Sequence, residues 1–240
     1  MSEADVFNER VATDYESWYN TREGRRADRL EKASLERLLS CFPYARRLLE
    51  IGCGTAHFTR WLSAHGLRAI GLDLSRAMLS EAGGFQQVTL VQADAHRLPL
   101  KDDAFDISAF ITTLEFLEAP ERALAEAVRV ASQGILLGVL NRCSALAVRR
   151  RLMELFRPSV YEEARFYTVG ELEQLLHEAT TMVLGETESQ GAEVVWHTTL
   201  FPPWMPWERA ELPLGGFIAA ALIFREKARR ADGPSLQGGI

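Results

Sequence analysis

Two glycines, Gly52 and Gly54, stand one residue apart in the stretch LLEIGCGTAHFTRWL, between an apolar run and an amphipathic segment. A glycine-rich turn between a strand and a helix lets the backbone approach a ligand closely, as in many nucleotide-binding sites. The pattern that binds a dinucleotide pyrophosphate, G-x-G-x-x-G, needs a third glycine at position 57, where this chain has His57. Because that side chain obstructs a pyrophosphate, the turn either binds a different nucleotide or only connects a strand to a helix.

Three acidic residues stand at or near the ends of consecutive apolar runs: Glu50, Asp73 and Asp94. Asp73 follows the glycine turn by about 20 residues, the separation at which a carboxylate binds ribose hydroxyls. The carboxyl ends of parallel strands share one edge of a sheet, so we expect the three acids to lie together there. Acids repel a pyrophosphate and suit a cation, and S-adenosylmethionine combines a ribose and an adenine with positive charge. Each acid alone could equally cap a helix or face solvent in a turn.

The elements that would position these residues follow from the hydrophobic pattern. Short apolar runs alternate with helical patterns between Arg46 and Leu140, which predicts a parallel sheet with helices on both faces. The preceding residues 5–41 have apolar positions at helical spacing. We expect two or three helices there, with a break near Gly24.

The alternation weakens after Asn141. A basic stretch at 144–157 has a helical pattern, and Thr168 is predicted to begin a further helix as its N-cap. Two strands are expected near 182–196 and 217–225. These late strands extend the predicted sheet.

The chain of 240 residues has the composition of a globular protein, and its net charge of −6 argues against nucleic acid as a partner. The three cysteines lack zinc-site or disulfide spacing, so we expect reduced thiols, no metal and a cytoplasmic location. No signal peptide and no stable membrane insertion are expected. We predict a single domain, 1–240, made of an N-terminal helical lid (1–41), a cofactor-binding core (46–140), a substrate-side insert (141–170) and a loose tail (228–240).

Four segments in order, LLEIGCGTAHFTRWL, AIGLDLSRAML, VTLVQADAHRLPLKDDAFDIS and PERALAEAVRV, resemble the successive motifs of class I S-adenosylmethionine-dependent methyltransferases. The resemblance covers about residues 10–180 and is strongest to the small-molecule, type 11-like branch. It implies an α/β, Rossmann-like sheet of seven strands in the order 3-2-1-4-5-7-6, with the last strand antiparallel and helices on both faces. The two late strands fit that topology.

The resemblance also implies a set of cofactor-binding residues, which surround each part of S-adenosylmethionine in turn. Around the amino-acid end it places Glu50 near the ammonium, the backbone of Gly52, Cys53 and Gly54 beside the methionine part, and the backbone of Ile111 and Thr112. Around the nucleoside it places Asp73 on the ribose, Leu74 and Met78 against the adenine, and Asp94 on the adenine amino group with Ala95 beside it. One departure is Phe116, where many relatives have histidine.

Tyr15 and Tyr19 are four residues apart, on one face of a predicted N-terminal helix. Aromatic rings attract cations, so the two tyrosines are candidates to cover a sulfonium, although they could equally pack the helix onto the sheet. The sequence singles out no catalytic residue, because orientation alone accelerates methyl transfer strongly. We expect His57 to have a packing or capping role and Cys143 to be a buried thiol.

The sequence thus predicts a methyltransferase that moves a methyl group from S-adenosylmethionine to O, N or S of a small, partly apolar acceptor, leaving S-adenosylhomocysteine. The alternative is a catalytically silent S-adenosylmethionine-binding protein that acts as a sensor or as a partner subunit. A nicotinamide-dependent reductase is disfavoured by His57. The acceptor and the oligomeric state are not determined by the sequence.

Overall fold

A computed structural model of the protein describes residues 7–82, 88–144, 164–202, 204–205 and 208–225. The predicted basic helical stretch at 144–157, apart from Ser144, lies outside the described residues, as do most of the predicted insert and the whole predicted tail. The division of the chain into lid, core, insert and tail therefore stays a prediction.

The described strands form one sheet. In chain order they are β1 (Arg47–Ile51), β2 (Arg68–Asp73), β3 (Thr89–Gln92), β4 (Phe105–Ile111), β5 (Ala131–Leu140), β6 (Ala192–Thr199), β7 (Arg209–Ala210) and β8 (Phe217–Phe224). Their spatial order is β3-β2-β1-β4-β5-β8-β6-β7. Strands β1 to β5 pair in parallel, and β8 is antiparallel to both β5 and β6. This confirms the predicted topology, with the two-residue β7 added at the edge.

The described helices are α1 (Glu9–Tyr19), α2 (Arg22–Leu39), α3 (His57–Ala64), α4 (Arg76–Ala82), α5 (Pro120–Val130), α6 (Val169–Leu184) and α7 (Glu186–Ser189), with a short 3-10 helix at Leu114–Phe116. Two buried clusters lie on opposite faces of the sheet. One contains α5 and α6 residues, and the other contains residues of α2 and α3. The sheet is therefore covered on both faces, as alternating strands and helices require.

The break between the N-terminal helices lies earlier than predicted. The chain turns at Asn20 and Thr21, and Gly24 lies in the first turn of α2. The Thr21 hydroxyl accepts a hydrogen bond from the Gly24 N–H at 2.9 Å and so caps the helix. A Cβ at Gly24 would lie 2.0 Å from the Trp18 carbonyl oxygen. This glycine therefore permits a close approach of two helices instead of breaking one.

The C-terminal helix α6 begins where the sequence predicts. Thr168 and Glu171 form a reciprocal capping box, which confirms Thr168 as the N-cap. The strand predicted near 182–196 is wrong in its first half, because α6 continues to Leu184 and β6 begins only at Ala192. Val183 and Leu184 pack against the core from the helix, so their apolar character does not indicate a strand.

Candidate active site

A cavity of about 800 Å³ opens at the carboxyl ends of β1, β2 and β4, beneath α1. All the residues predicted to bind the cofactor line it except Asp94. The predicted lining residues are Tyr15, Tyr19, Glu50, Gly52, Cys53, Gly54, Asp73, Leu74, Met78, Ala95, Ile111 and Thr112.

The turn after β1 has the backbone that its glycines predict. Gly52 and Gly54 have φ angles of 73° and 55°, a region in which residues with a side chain are strained. A Cβ at Gly52 would lie 2.0 Å from Cγ2 of Thr113, whose hydroxyl donates to the Gly52 carbonyl at 3.0 Å. At Gly54 a Cβ would lie 3.1 Å from the Met78 methyl group. The turn therefore packs tightly on one side and leaves its backbone open to the cavity on the other.

Asp73 ends β2 at the wall of the cavity. Its Oδ2 accepts a hydrogen bond from the Gly54 N–H at 2.7 Å, and its Oδ1 accepts one from the Ser75 N–H at 2.8 Å. Burial raises the pKa of this carboxyl, while the backbone hydrogen bonds oppose the rise. The two backbone donors orient the carboxylate, and each oxygen keeps a further lone pair for a ligand hydroxyl.

Glu50 lies deeper, at 1% exposure, and accepts a hydrogen bond from the Thr59 hydroxyl. Burial raises its pKa to about 8, and the nearby Asp73 carboxylate adds to the rise. The carboxyl is therefore largely protonated at pH 7 when no cation is close. A positive ligand group beside it would favour the ionised form, so the residue suits a cation and disfavours an anion.

Asp94 is placed differently from the other two acids. It lies beyond the end of β3 with its side chain half exposed, and only its neighbours Ala93 and Ala95 line the cavity. Its Oδ1 accepts the backbone N–H of His96 at 2.8 Å and lies 2.8 Å from the His96 ring nitrogen Nδ1. Burial alone would raise the pKa of Asp94, but the contacts with His96 outweigh it and lower the pKa. The Asp94 carboxylate therefore stabilises the loop to which it belongs in this structure.

Aromatic side chains from the N-terminal helix cover the cavity. The rings of Tyr15 and Tyr19 meet edge to face with centroids 6.0 Å apart. Tyr19 also stacks on His57, with centroids 3.8 Å apart and planes 10° from parallel. On the opposite side, Phe7 and Phe116 meet edge to face at 4.9 Å. Four aromatic rings and an imidazole therefore line the cavity.

Two polar networks attach the N-terminal helices to α3. The His57 nitrogen Nε2 lies 2.7 Å from Asp28 Oδ1 and 2.9 Å from Lys32 Nζ, both on α2. Glu16 on α1 accepts hydrogen bonds from the Thr55 hydroxyl at 2.6 Å and from Arg60 at 3.0 Å. These contacts hold the aromatic cover over the glycine turn.

Sequence reasoning missed several lining residues. The main ones are Phe7, Ser75, Thr113 and Leu117, and His57 was expected only to pack or to cap a helix. Phe116, which the resemblance places at the pocket in the position of a histidine, does line the cavity. Ser75 carries a local signal, because its hydroxyl accepts the Met78 N–H at 3.2 Å as a helix cap would. Cys143, expected as a buried thiol, is exposed. It stands in a turn after β5, where its backbone N–H donates to Asn141, and the turn leaves the side chain in solvent.

Two broader expectations concern metals and membranes. Across the described ranges, no group of three or more His, Cys, Asp and Glu side chains could hold a metal ion. Among the helices of those same ranges, none is both long enough and apolar enough to cross a bilayer.

Comparison with known proteins agrees with this geometry. A family profile described as a methyltransferase domain matches residues 49–137. An uncharacterized protein of Methanocaldococcus jannaschii is 30% identical over 72% of this chain and 80% of its own length. A malonyl-[acyl-carrier protein] O-methyltransferase of Pectobacterium atrosepticum is 33% identical over 44% of this chain. The chain spans 43% of that enzyme and 60% of similar uncharacterized mycobacterial proteins.

Among solved structures, a methyltransferase of Thermotoga maritima superposes with a TM-score of 0.74 and 28% sequence identity. The match covers 93% of this chain and all of the other, which is described as S-adenosylmethionine-dependent and as a possible histamine N-methyltransferase. The matching profile contains the glycine turn and both acids that line the cavity, Glu50 and Asp73. This chain belongs to the S-adenosylmethionine-dependent methyltransferase family.

Proposed function

We propose that this protein transfers a methyl group from S-adenosylmethionine to an O, N or S atom of a small, partly apolar acceptor. One observation carries the proposal. The cavity combines the buried carboxyl group of Glu50 and the half-buried one of Asp73 with an apolar and aromatic wall, and no Lys or Arg is among its described lining residues. Such a cavity favours a cation with a ribose and a flat ring, and it disfavours a phosphate.

The individual residues fit the parts of this cofactor. The glycine turn leaves backbone open to the amino-acid end, and Glu50 lies where it can face the ammonium group. Asp73 presents an oriented carboxylate to the ribose hydroxyls. Leu74 and Met78 supply apolar contact for the adenine. When bound, S-adenosylmethionine supplies an electrophilic methyl group on a sulfonium sulfur.

The remaining cofactor-binding residues are assigned in the same way. We place the backbone of Ile111 and Thr112 at the amino-acid end, where Thr112 adopts a φ of 52° and donates its N–H to Gly138 at 2.7 Å. Ala95 lies at the adenine side of the cavity. Asp94 would reach the adenine amino group only by rotating away from His96, so we assign it a smaller share of the binding energy.

The chain's own contribution to the reaction is orientation and the exclusion of water. Tyr15 and Tyr19 face the cavity from α1, and their ring faces stabilise positive charge nearby. Covering the cavity with aromatic rings excludes water and holds an acceptor in line. We therefore propose the N-terminal residues 1–41 as a lid over the core 46–140, with no dedicated general base required.

The acceptor class is inferred from the part of the cavity wall that a bound cofactor would not cover. Phe7, Phe116 and Leu117 form an apolar side of the cavity. By their descriptions, one named relative is an O-methyltransferase of malonyl-[acyl-carrier protein] and the other is a possible histamine N-methyltransferase. Their acceptors differ in the atom methylated, so the proposal for a small, partly apolar acceptor rests on the cavity wall. The predicted insert 141–170 would complete this side of the site.

The proposal is tested by calorimetric titration with S-adenosylhomocysteine. A hydrogen bond to a charged group contributes about 1.5–3 kcal/mol, so Asp73→Ala should weaken binding roughly ten- to a hundredfold. Asp73→Asn keeps one of the two acceptors for the turn, so it should weaken binding while destabilising the fold less than Asp73→Ala does. The control Asp102→Ala removes an aspartate that pairs with Arg129 instead of lining the cavity.

Unchanged affinity in both Asp73 variants would refute the assignment of the ribose site. Formation of S-adenosylhomocysteine with a panel of phenols, amines and thiols then distinguishes an enzyme from a binding protein. Tight binding without product from any acceptor class would favour a sensor or a partner subunit.

A further inference from the structure

A second cavity lies away from the candidate active site, between the C-terminal end of α2 and strands β6 and β7. It has an empty volume of about 1250 Å³ and is open to solvent. Its polar lining side chains are Arg37, Ser40, Cys41, Trp196, His197, Arg209 and Glu211. None of them lines the first cavity, so this cavity is independent of the proposed methyl transfer.

Two arginines in this lining stand without a counter-ion. Among the described residues, no hydrogen bond or ion pair engages the side chain of Arg37 or of Arg209. Several other arginines do have acidic partners: Arg47 binds Asp106 at 2.9 Å, and Arg129 binds Glu126 at 2.7 Å. The second cavity therefore concentrates positive charge that the fold does not neutralise.

A buried histidine forms part of the same wall. His197 is 5% exposed, and its Nε2 atom has no hydrogen-bond partner within the described chain. Burial, together with the charges of Arg209 and Arg37, lowers the pKa of His197 to about 4, against the opposing effect of a hydrogen bond with the Ser34 backbone. A buried polar atom without a partner is costly, and such atoms frequently mark a functional site.

We propose that this cavity binds a small oxyanion, a phosphate or a carboxylate, between Arg37 and Arg209. Guanidinium groups match the paired oxygens of both ions. An anion there offsets the repulsion that the two arginines exert on His197, so the imidazole takes up a proton as the ligand binds. Glu211, also in the lining, opposes the anion and limits its affinity.

The test follows the His197 imidazole by NMR at pH 6, with inorganic phosphate and citrate as probes and ionic strength held constant with chloride. We expect saturable shifts of the His197 resonances and a raised pKa of this residue. Arg37→Gln or Arg209→Gln should weaken binding about tenfold, the lower end of the range for a charge-assisted hydrogen bond. Glu211→Gln should strengthen it several-fold.

The matched control is Arg68→Gln, which removes an exposed arginine from the start of β2, across the sheet from β6. It should leave the titration unchanged. A response to phosphate alone identifies a phosphate site, and a response to citrate as well identifies a general oxyanion site. No saturable shift with either probe, or equal weakening by Arg68→Gln and by the cavity variants, would overturn the proposal.

Discussion

Replacing Glu50 with glutamine tests the energetics of the candidate active site directly. The wild-type carboxyl is buried, receives a hydrogen bond from Thr59, and has a pKa raised from 4.5 to about 8. Glutamine has nearly the same shape and keeps an oxygen that accepts from Thr59, but it does not ionise. The variant therefore removes the titration and preserves the packing.

The magnitude follows from the two pKa values. The difference corresponds to roughly 5 kcal/mol between the ionised and neutral forms of the carboxyl. Because the folded state holds this proton to higher pH than the unfolded state, the stability it contributes is present below pH 4.5 and is lost as the pH rises through about 8. Between pH 6 and pH 9, the wild-type free energy of unfolding should fall by roughly 3 kcal/mol relative to Glu50→Gln.

The assay is urea unfolding of both proteins at pH 6, 7, 8 and 9, without cofactor, followed by circular dichroism. Glu126→Gln is the matched control, because Arg129 and other contacts lower the pKa of Glu126, so its effect on stability should not change across this range. If wild type and Glu50→Gln lose stability in parallel between pH 6 and pH 9, Glu50 is ionised throughout and the reasoning about its burial is wrong.

Two further variants test the glycine turn and the aromatic cover. Gly52→Ala should destabilise the protein by roughly 2–5 kcal/mol in urea unfolding, from left-handed strain plus a clash with Thr113. Gly66 has a φ of 86° but nothing within 4 Å of a new Cβ, so Gly66→Ala should cost only the backbone strain, about 1–2 kcal/mol. Equal destabilisation by Gly52→Ala and Gly66→Ala would refute the clash with Thr113. Tyr19→Ala should weaken S-adenosylhomocysteine binding several-fold in calorimetry, because it removes the ring that stacks on His57. Tyr19→Phe keeps the ring and should bind normally. Unchanged binding in Tyr19→Ala would exclude a lid role.

The sheet could be predicted because its signals are local. Each parallel strand contains a short apolar run, and the glycines after β1 adopt the positive φ that such a turn needs. The placement of Glu50 and Asp73 followed from the shared edge of the strands. Asp94 also follows a strand, but its side chain bonds to His96, two residues away, and does not line the cavity. The hydrophobic periodicity does not predict the direction in which such a side chain points.

Contacts between distant segments could not be predicted. Phe7 contacts Phe116 only after α1 folds across the sheet edge, and Arg37 and Arg209 line one cavity only once β7 pairs with β6. One further prediction, the position of the helix break, was wrong because of a local interaction. Gly24 suggested a helix break, but the capping hydroxyl of Thr21 decided where α2 begins.

The position of β8 in the sheet has a consequence for synthesis on the ribosome. This strand comes last in the described chain, yet it lies between β5 and β6 and pairs with both. Until it emerges, the almost fully buried β5 has an open edge, and β6 can pair only with the two-residue β7. An open apolar edge invites pairing with other chains, and non-local pairing is slow. The nascent protein therefore needs protection from aggregation after its nucleotide-binding half has already formed.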